Sequence, residues 1–368
     1  MKSLRVNADY ETELFYGHSG AAIMNQSLEF LTFFLETNPI FTAKKYPPAY
    51  FEYIESIVGS KPTLISSGEF KNWWGELRDL ELERKLNSKV TSSELCISQL
   101  KECNIQIIHT LSDYHAPESQ VPMIAKNPYG MSGQKFKLFT PEALISEGPE
   151  WLKKSLPHGP IILEPLLKRQ KDFSHFVFPD EKVICYQNLI DHKFQYRGTL
   201  FRDIQKPSIQ SLAFYSDIDP RNWETFKHQL ALIQNYYSSF PSEFGYSIDS
   251  FTFQGEFHSQ IRTLCEVNFR RTMGRVAYDL SSKVASKLTW SLFLMGKSQG
   301  SKGGFQFLHK TLKPILLNSE NESGIVILSP GDTRFEIFLI KARDEKSGLE
   351  CLRKLKELLP DGEFAIEL

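Results

Sequence analysis

Residues 264 to 271 read Leu-Cys-Glu-Val-Asn-Phe-Arg-Arg, and strand alternation through this run puts Glu266, Asn268 and Arg270 on one face. A carboxylate and an amide oxygen two residues apart on such a face point the same way and suit a hard cation such as Mg2+. The next residue in phase, Arg270, offers a planar guanidinium to phosphate. Residues 248 to 253 read as the preceding antiparallel strand, with Gln254-Gly255-Glu256 as the turn and Asp249 as a third oxygen ligand. Taken alone, an acid, an amide and an arginine on one strand face also describe the solvated side of a half-buried sheet. The positions of other residues must decide.

Lys126 ends the apolar run 122 to 126, and the loop that follows carries Gly130, Ser132 and Gly133. Small residues there bring backbone N–H donors close to a polyanion, and Lys126 adds a cation. The loop lacks the G-K-[ST] ending of a Walker motif, and Phe136, Leu138 and Phe139 read as a returning strand, so an ordinary hairpin turn is the alternative. Asn87 or Ser88 is placed to start a helix that carries Lys89 in its first turn and is closed near Asn104, before a strand at 105 to 108. Glu164 closes another apolar strand, Pro160-Ile-Ile-Leu-Glu-Pro-Leu-Leu167. Residues 173 to 202 alternate as a meander, and residues 225 to 239 have the spacing of a packing helix.

Four of these features, in this order over roughly residues 85 to 280, resemble the ATP-grasp enzymes: a lysine-ended strand, a small-residue phosphate loop, a strand and hinge, and an E-x-N-x-R strand. The resemblance implies an α/β (α+β) fold in which two α+β subdomains grip ATP behind a small α/β pre-ATP-grasp domain. The corresponding division is 1–86 for the leading domain, 87–167 for the subdomain with the phosphate loop, 168–285 for the subdomain with the metal site, and 286–368 for a β-β-α appendage. It also implies that Lys89, Lys126, Ser132 and Gly133 hold phosphates, that Glu164 meets the adenine amino group with Leu166 and Leu167 flanking the base, and that Asp172 reaches the ribose. Asp249, Glu266 and Asn268 then hold Mg2+ (or Mn2+) against ATP. Arg270, Lys126 and Arg197, with Arg202 as an alternative to Arg197, carry the catalysis.

The chemistry so implied is activation of a small-molecule carboxylate as an acyl phosphate for attack by an amine, of amino-acid or peptide type. The alternatives are an ATP-grasp kinase or carboxylate-thiol ligase, and a catalytically silent nucleotide-binding regulator. The chain shows no G-x-S-x-G elbow or Cys-His signature, and none of its nine histidines has metal-ligand spacing.

Lys plus Arg number 43 against 44 Asp plus Glu, so nothing attracts the chain as a whole to nucleic acid or an anionic membrane. Five cysteines without a C-x-x-C pair fit buried thiols in a reducing compartment, and neither a signal-peptide core nor an 18-residue apolar run is present. The expectation is a cytoplasmic protein. In the leading domain, residues 20 to 36 and 68 to 86 have helical spacing, with Leu77, Leu80, Leu82 and Leu86 as the second stripe. The polar opening Asn7-Ala-Asp-Tyr-Glu11 reads as turn chemistry, with the cleft as its alternative. The glycine-rich run 299 to 304 reads as a connection or substrate-side lid. The last segment either covers the acceptor site or makes a homodimer contact.

Overall fold

Short strands with parallel pairing open the computed structural model, which describes every residue except 1–2, 18–21, 76, 78, 103, 117–120, 131–135, 213, 256–257, 298–303, 319 and 361–368. Strands β1 (Ser3–Arg5), β2 (Ile40–Phe41), β3 (Leu64–Ile65) and β4 (Phe70–Asn72) form a parallel sheet in the order β3-β2-β1-β4. Aromatic residues dominate its core: Tyr10, Phe30, Phe34, Tyr50 and Trp73 are buried. The segment 68 to 86 is not the single helix that its spacing predicts. Its first part is β4, and only Leu80–Leu86 is helical, with Asp79 accepting from the Leu82 N–H at 3.1 Å. Leu86 is buried but Leu80 is exposed, because the apolar spacing spans two different elements.

A second, antiparallel sheet contains β5 (Gln106–Ile108), β6 (Met123–Lys126), β7 (Phe136–Phe139) and β8 (Ile161–Pro165), in the order β5-β8-β6-β7. The helix Lys89–Ser98 leads into it, with Ser88 as N-cap accepting from the Val90 N–H at 3.1 Å. That helix ends at Ser98, earlier than Asn104, because the chain turns through Lys101 with φ 58°.

The third sheet has eight strands: β9 (Arg169–Val177), β10 (Val183–Ile190), β11 (Tyr196–Phe201), β12 (Tyr246–Gln254), β13 (Ser259–Asn268), β14 (Trp290–Lys297), β15 (Ser323–Ile327) and β16 (Phe335–Ala342). Their order is β13-β12-β9-β10-β11-β14-β16-β15. Helix Met273–Lys283 lies against it and buries Val276, Ala277 and Leu280, three residues of one helical stripe. The β-β-α elements of the last segment are present as β15, β16 and the helix Glu345–Leu358. They are not an appendage. The unanticipated strand β14 pairs with both β11 and β16, so the last strands continue the central sheet. β14 escapes an alternation test because Trp290 to Leu294 are all buried, leaving no polar face to mark the period.

Candidate active site

The cleft of about 280 Å³ lies between the second sheet and the long one. Backbone pairing brings its acids together: on the β12–β13 hairpin Asp249 stands directly opposite Glu266, and Ser247 opposite Asn268. Asp249 Oδ1 accepts from Ser174 Oγ at 2.6 Å and Ser247 Oγ at 2.9 Å, and Oδ2 accepts from Asn268 Nδ2 at 2.9 Å. Two carboxylates side by side in a buried place repel each other. Burial first, and then the Glu266 charge, push the Asp249 carboxyl up to about 6. Glu266 goes the other way: burial would raise it, but the Lys89 ammonium, with Arg270 and Lys126, outweighs burial and holds it below the usual range. Lys89 Nζ lies 2.6 Å from Glu266 Oε2 and donates to the Gly130 carbonyl at 3.1 Å.

Two crossing contacts hold Lys89 over the hairpin. The Val267 N–H donates to Ser92 Oγ at 3.1 Å, and the Phe269 N–H to Asn87 Oδ1 at 2.9 Å. The helix N-terminus that carries Lys89 is therefore tied to the strand that carries Glu266 and Asn268. Lys126 ends β6 facing Glu164 at the end of β8, and the two form an ion pair. Glu164 also lies 3.5 Å from Arg262, so the acid is held between two cations. Burial would lower the Lys126 ammonium, but the Glu164 carboxylate together with the neighbouring Cys265 outweighs burial and holds it above its ordinary value.

Leu166 and Leu167 line the same end of the cleft. Asp172 does too, but it sits on β9 rather than in a charged loop, and accepts from Arg169 at 2.8 Å. Arg270 lies just beyond β13, lines the cleft, and pairs with Glu11 of the leading domain. The polar opening of the chain thus divides its tasks. The Asn7 carbonyl accepts the turn bond from the Tyr10 N–H at 3.0 Å, its side chain reaches 67 and 68 residues along the chain to the Trp74 N–H and the Gly75 carbonyl, and Glu11 reaches the site.

Lys89, Lys126, Glu164, Leu167, Asp172, Asp249, Glu266, Asn268 and Arg270 all line this one cleft. Ser132 and Gly133 lie outside the described residues. Arg197 lies elsewhere. Its Nε and Nη2 grip Asp191 Oδ2 at 2.9 and 2.7 Å across the β10–β11 turn, and it is not among the residues that line the cleft. The physical reason is the two-residue period: Tyr196 faces the cleft, so its neighbour points away. Arg202 is likewise engaged, with Glu345. Accordingly, Arg197→Ala is expected to leave nucleotide affinity within about twofold of the parent, because it touches none of the cleft; calorimetric titration of both proteins checks this.

Sequence reasoning missed Arg169, Ser174, Asn188 and Cys265. Asn188 was open to discovery, since Tyr186, Asn188 and Ile190 alternate on β10 and line the cleft together. Asn188 stands directly opposite Asp172 and donates to Ser174 Oγ at 2.6 Å. Glu11 belongs to the polar opening for which the cleft is the alternative reading, but its partner, 259 residues away, could not be read locally.

No protein-family model matches this sequence, and no curated protein does either. The fold does have relatives among solved structures. An N5-carboxyaminoimidazole synthetase from Staphylococcus aureus superposes with a TM-score of 0.53 at 11% identity, covering 98% of each chain. An N5-carboxyaminoimidazole ribonucleotide synthetase solved as its ADP complex gives 0.52 at 10% identity, covering 96% of this chain and 94% of that one. This chain has the ATP-grasp fold. Coverage of nearly the whole of both chains extends the likeness to the leading α/β unit, which is the pre-ATP-grasp domain of this architecture.

The donor set of the cleft suits a hard divalent cation. Among the described residues no three His, Cys, Asp or Glu side chains gather as a metal cluster. The hairpin instead offers two carboxylates and an amide, all hard oxygen donors, with Asp249 and Glu266 directly opposite each other, where a cation would relieve their repulsion. This set fits Mg2+, or Mn2+, and does not suit a soft or nitrogen-seeking metal.

Proposed function

We propose that this protein is an ATP- and Mg2+-dependent ligase that activates a small-molecule carboxylate as an acyl phosphate for attack by an amine. The observation that carries the reading is the convergence in one cleft of Lys89, Lys126, Asp249, Glu266, Asn268 and Arg270 from three separate parts of the chain. Such a set, with the divalent cation it would hold, offsets most of the charge of a triphosphate and leaves no side chain in need of acting as a nucleophile.

In this reading Lys126 and Lys89 bind phosphate oxygens, and exchange their present carboxylate partners for the nucleotide when it enters. Asp249, Glu266 and Asn268 would hold the cation, which when bound draws charge from the phosphate oxygens. Arg270 orients the attacking carboxylate and steadies the charge that develops as its oxygen joins the γ-phosphorus and ADP departs. Displacement of phosphate by the amine, with loss of its proton, completes the reaction. Leu166 and Leu167 exclude water around the base, Glu164 faces its amino group, and Asp172 with Asn188 offers polar groups for the ribose. With Arg197 turned away, Arg270 is left as the arginine of the catalytic set.

A silent regulator is disfavoured by the same observation, since it has no use for a complete oxygen set beside two lysines. Lys126→Ala tests the reading. ATP titrated with and without Mg2+ is expected to bind the parent, and to bind this variant at least about tenfold more weakly, through loss of one charge-assisted phosphate contact. Equal affinity of the two proteins would refute the assignment.

A further inference from the structure

The cleft is chemically divided. The residues that line it from the leading domain are Met24, Leu28 and Trp74, and those from the last strands are Met295 on β14 and Phe335 on β16. Met273, at the start of the helix Met273–Lys283, joins them. All six belong to or pack against one hydrophobic core, and four of them, Met24, Met273, Met295 and Phe335, are only partly buried where they meet the cavity. Among the described residues, neither the leading domain nor the last strands contribute a lysine, arginine or histidine to the lining. The cations that line the cleft among the described residues, Lys89, Lys126, Arg169 and Arg270, sit instead among the acids of the nucleotide end and the metal hairpin.

The apolar end adjoins the reacting end directly. The Arg271 N–H donates to the Trp74 carbonyl at 2.9 Å, which sets Trp74 beside the residue that follows Arg270. At this junction Arg270 Nε and Glu11 Oε2 are buried and make no hydrogen bond among the described residues. A buried donor without a partner is costly, and a substrate oxygen would satisfy it.

We propose that the substrate activated here is a carboxylic acid with an aromatic or branched aliphatic group, its carboxylate at Arg270 and its apolar body against Met295, Phe335, Met273 and Trp74. This rests on the ligase reading above and deepens it. Among the described residues, those walls offer a phosphorylated or dicarboxylic substrate no cation. Methionine-rich walls adapt to irregular apolar shapes, and partly exposed apolar side chains gain from being covered.

The test is calorimetric titration of 3-phenylpropionate into the full chain, with and without Mg2+ and ATP, against acetate and succinate. The proposal expects 3-phenylpropionate to bind at least tenfold more tightly than either control. Met295→Lys should weaken it at least tenfold, and Met295→Leu should retain it; Phe335→Lys, at the end of its strand, probes the same wall if the first variant does not fold. Equal binding of succinate, indifference to both lysine variants, or binding of 2-phenylethylamine in place of the acid would overturn it. Nucleotide titrated into the same samples separates the two claims. Mg-ATP binding without binding of the acid overturns the apolar pocket alone, whereas binding of the acid without Mg-ATP supports the pocket and removes the ligase reading.

Discussion

Glu266→Ala is expected to lower turnover at least about 100-fold and to abolish the Mg2+ dependence of ATP binding, while leaving the thermal unfolding midpoint near that of the parent. Glu266 is the one acid that stands opposite Asp249 across the hairpin and also meets the Lys89 ammonium at 2.6 Å. Its removal therefore takes away a cation ligand and frees Lys89 from its position. Loss of even an outer partner of a metal ligand costs ten- to a hundredfold, roughly, so loss of the ligand itself should exceed this range. The fold should survive, because β13 is held by backbone pairing and by the buried Leu264 and Val267 rather than by this side chain. ADP release and Mg2+-dependent calorimetry measure the two effects, and a variant that keeps both would remove the hairpin from the mechanism.

Gly274→Ala should destabilise the protein by at least about 2 kcal/mol, the upper part of the usual cost of overpacking. Gly274 follows the first residue of the helix Met273–Lys283, where a Cβ would sit 2.1 Å from the Tyr186 ring. Tyr186 is itself buried on β10, its hydroxyl 3.3 Å from Thr272 Oγ1, so the ring cannot swing away without breaking that contact and the floor of the cleft with it. Nucleotide affinity should fall together with stability. The mechanism is checked by a double-mutant cycle: in a Tyr186→Leu background, which opens space, Gly274→Ala should cost clearly less than in the parent. An equal cost in both backgrounds would place the clash elsewhere.

The hairpin shows why part of this site was legible. Glu266 and Asn268 share a face through the two-residue period of a strand, and one short turn brings Asp249 across to them. Both are local facts that a run of residues carries by itself. Lys126 and Glu164 were readable for a similar reason, since each ends an apolar strand at the rim of a sheet. Arg197 misled because glycine turns and arginines occur together on any surface; whether it or Tyr196 faces inward depends on the register of β11, which the Asp191 turn sets.

What the sequence determined alone was the alternation, the helix start at Ser88, and the order of the chemical residues along the chain, the first two set by interactions within about ten residues. Only the tertiary structure decided which of those residues meet. Glu11 on Arg270, Lys89 on Glu266, and the apolar end built from Met24, Met273, Met295 and Phe335 join segments far apart in the chain. The continuation of the central sheet through β14 into β16 and β15 was decided there as well. Such contacts are chosen by the burial of whole sheet faces, a property of the assembled core that leaves no periodic trace in a strand buried on both sides.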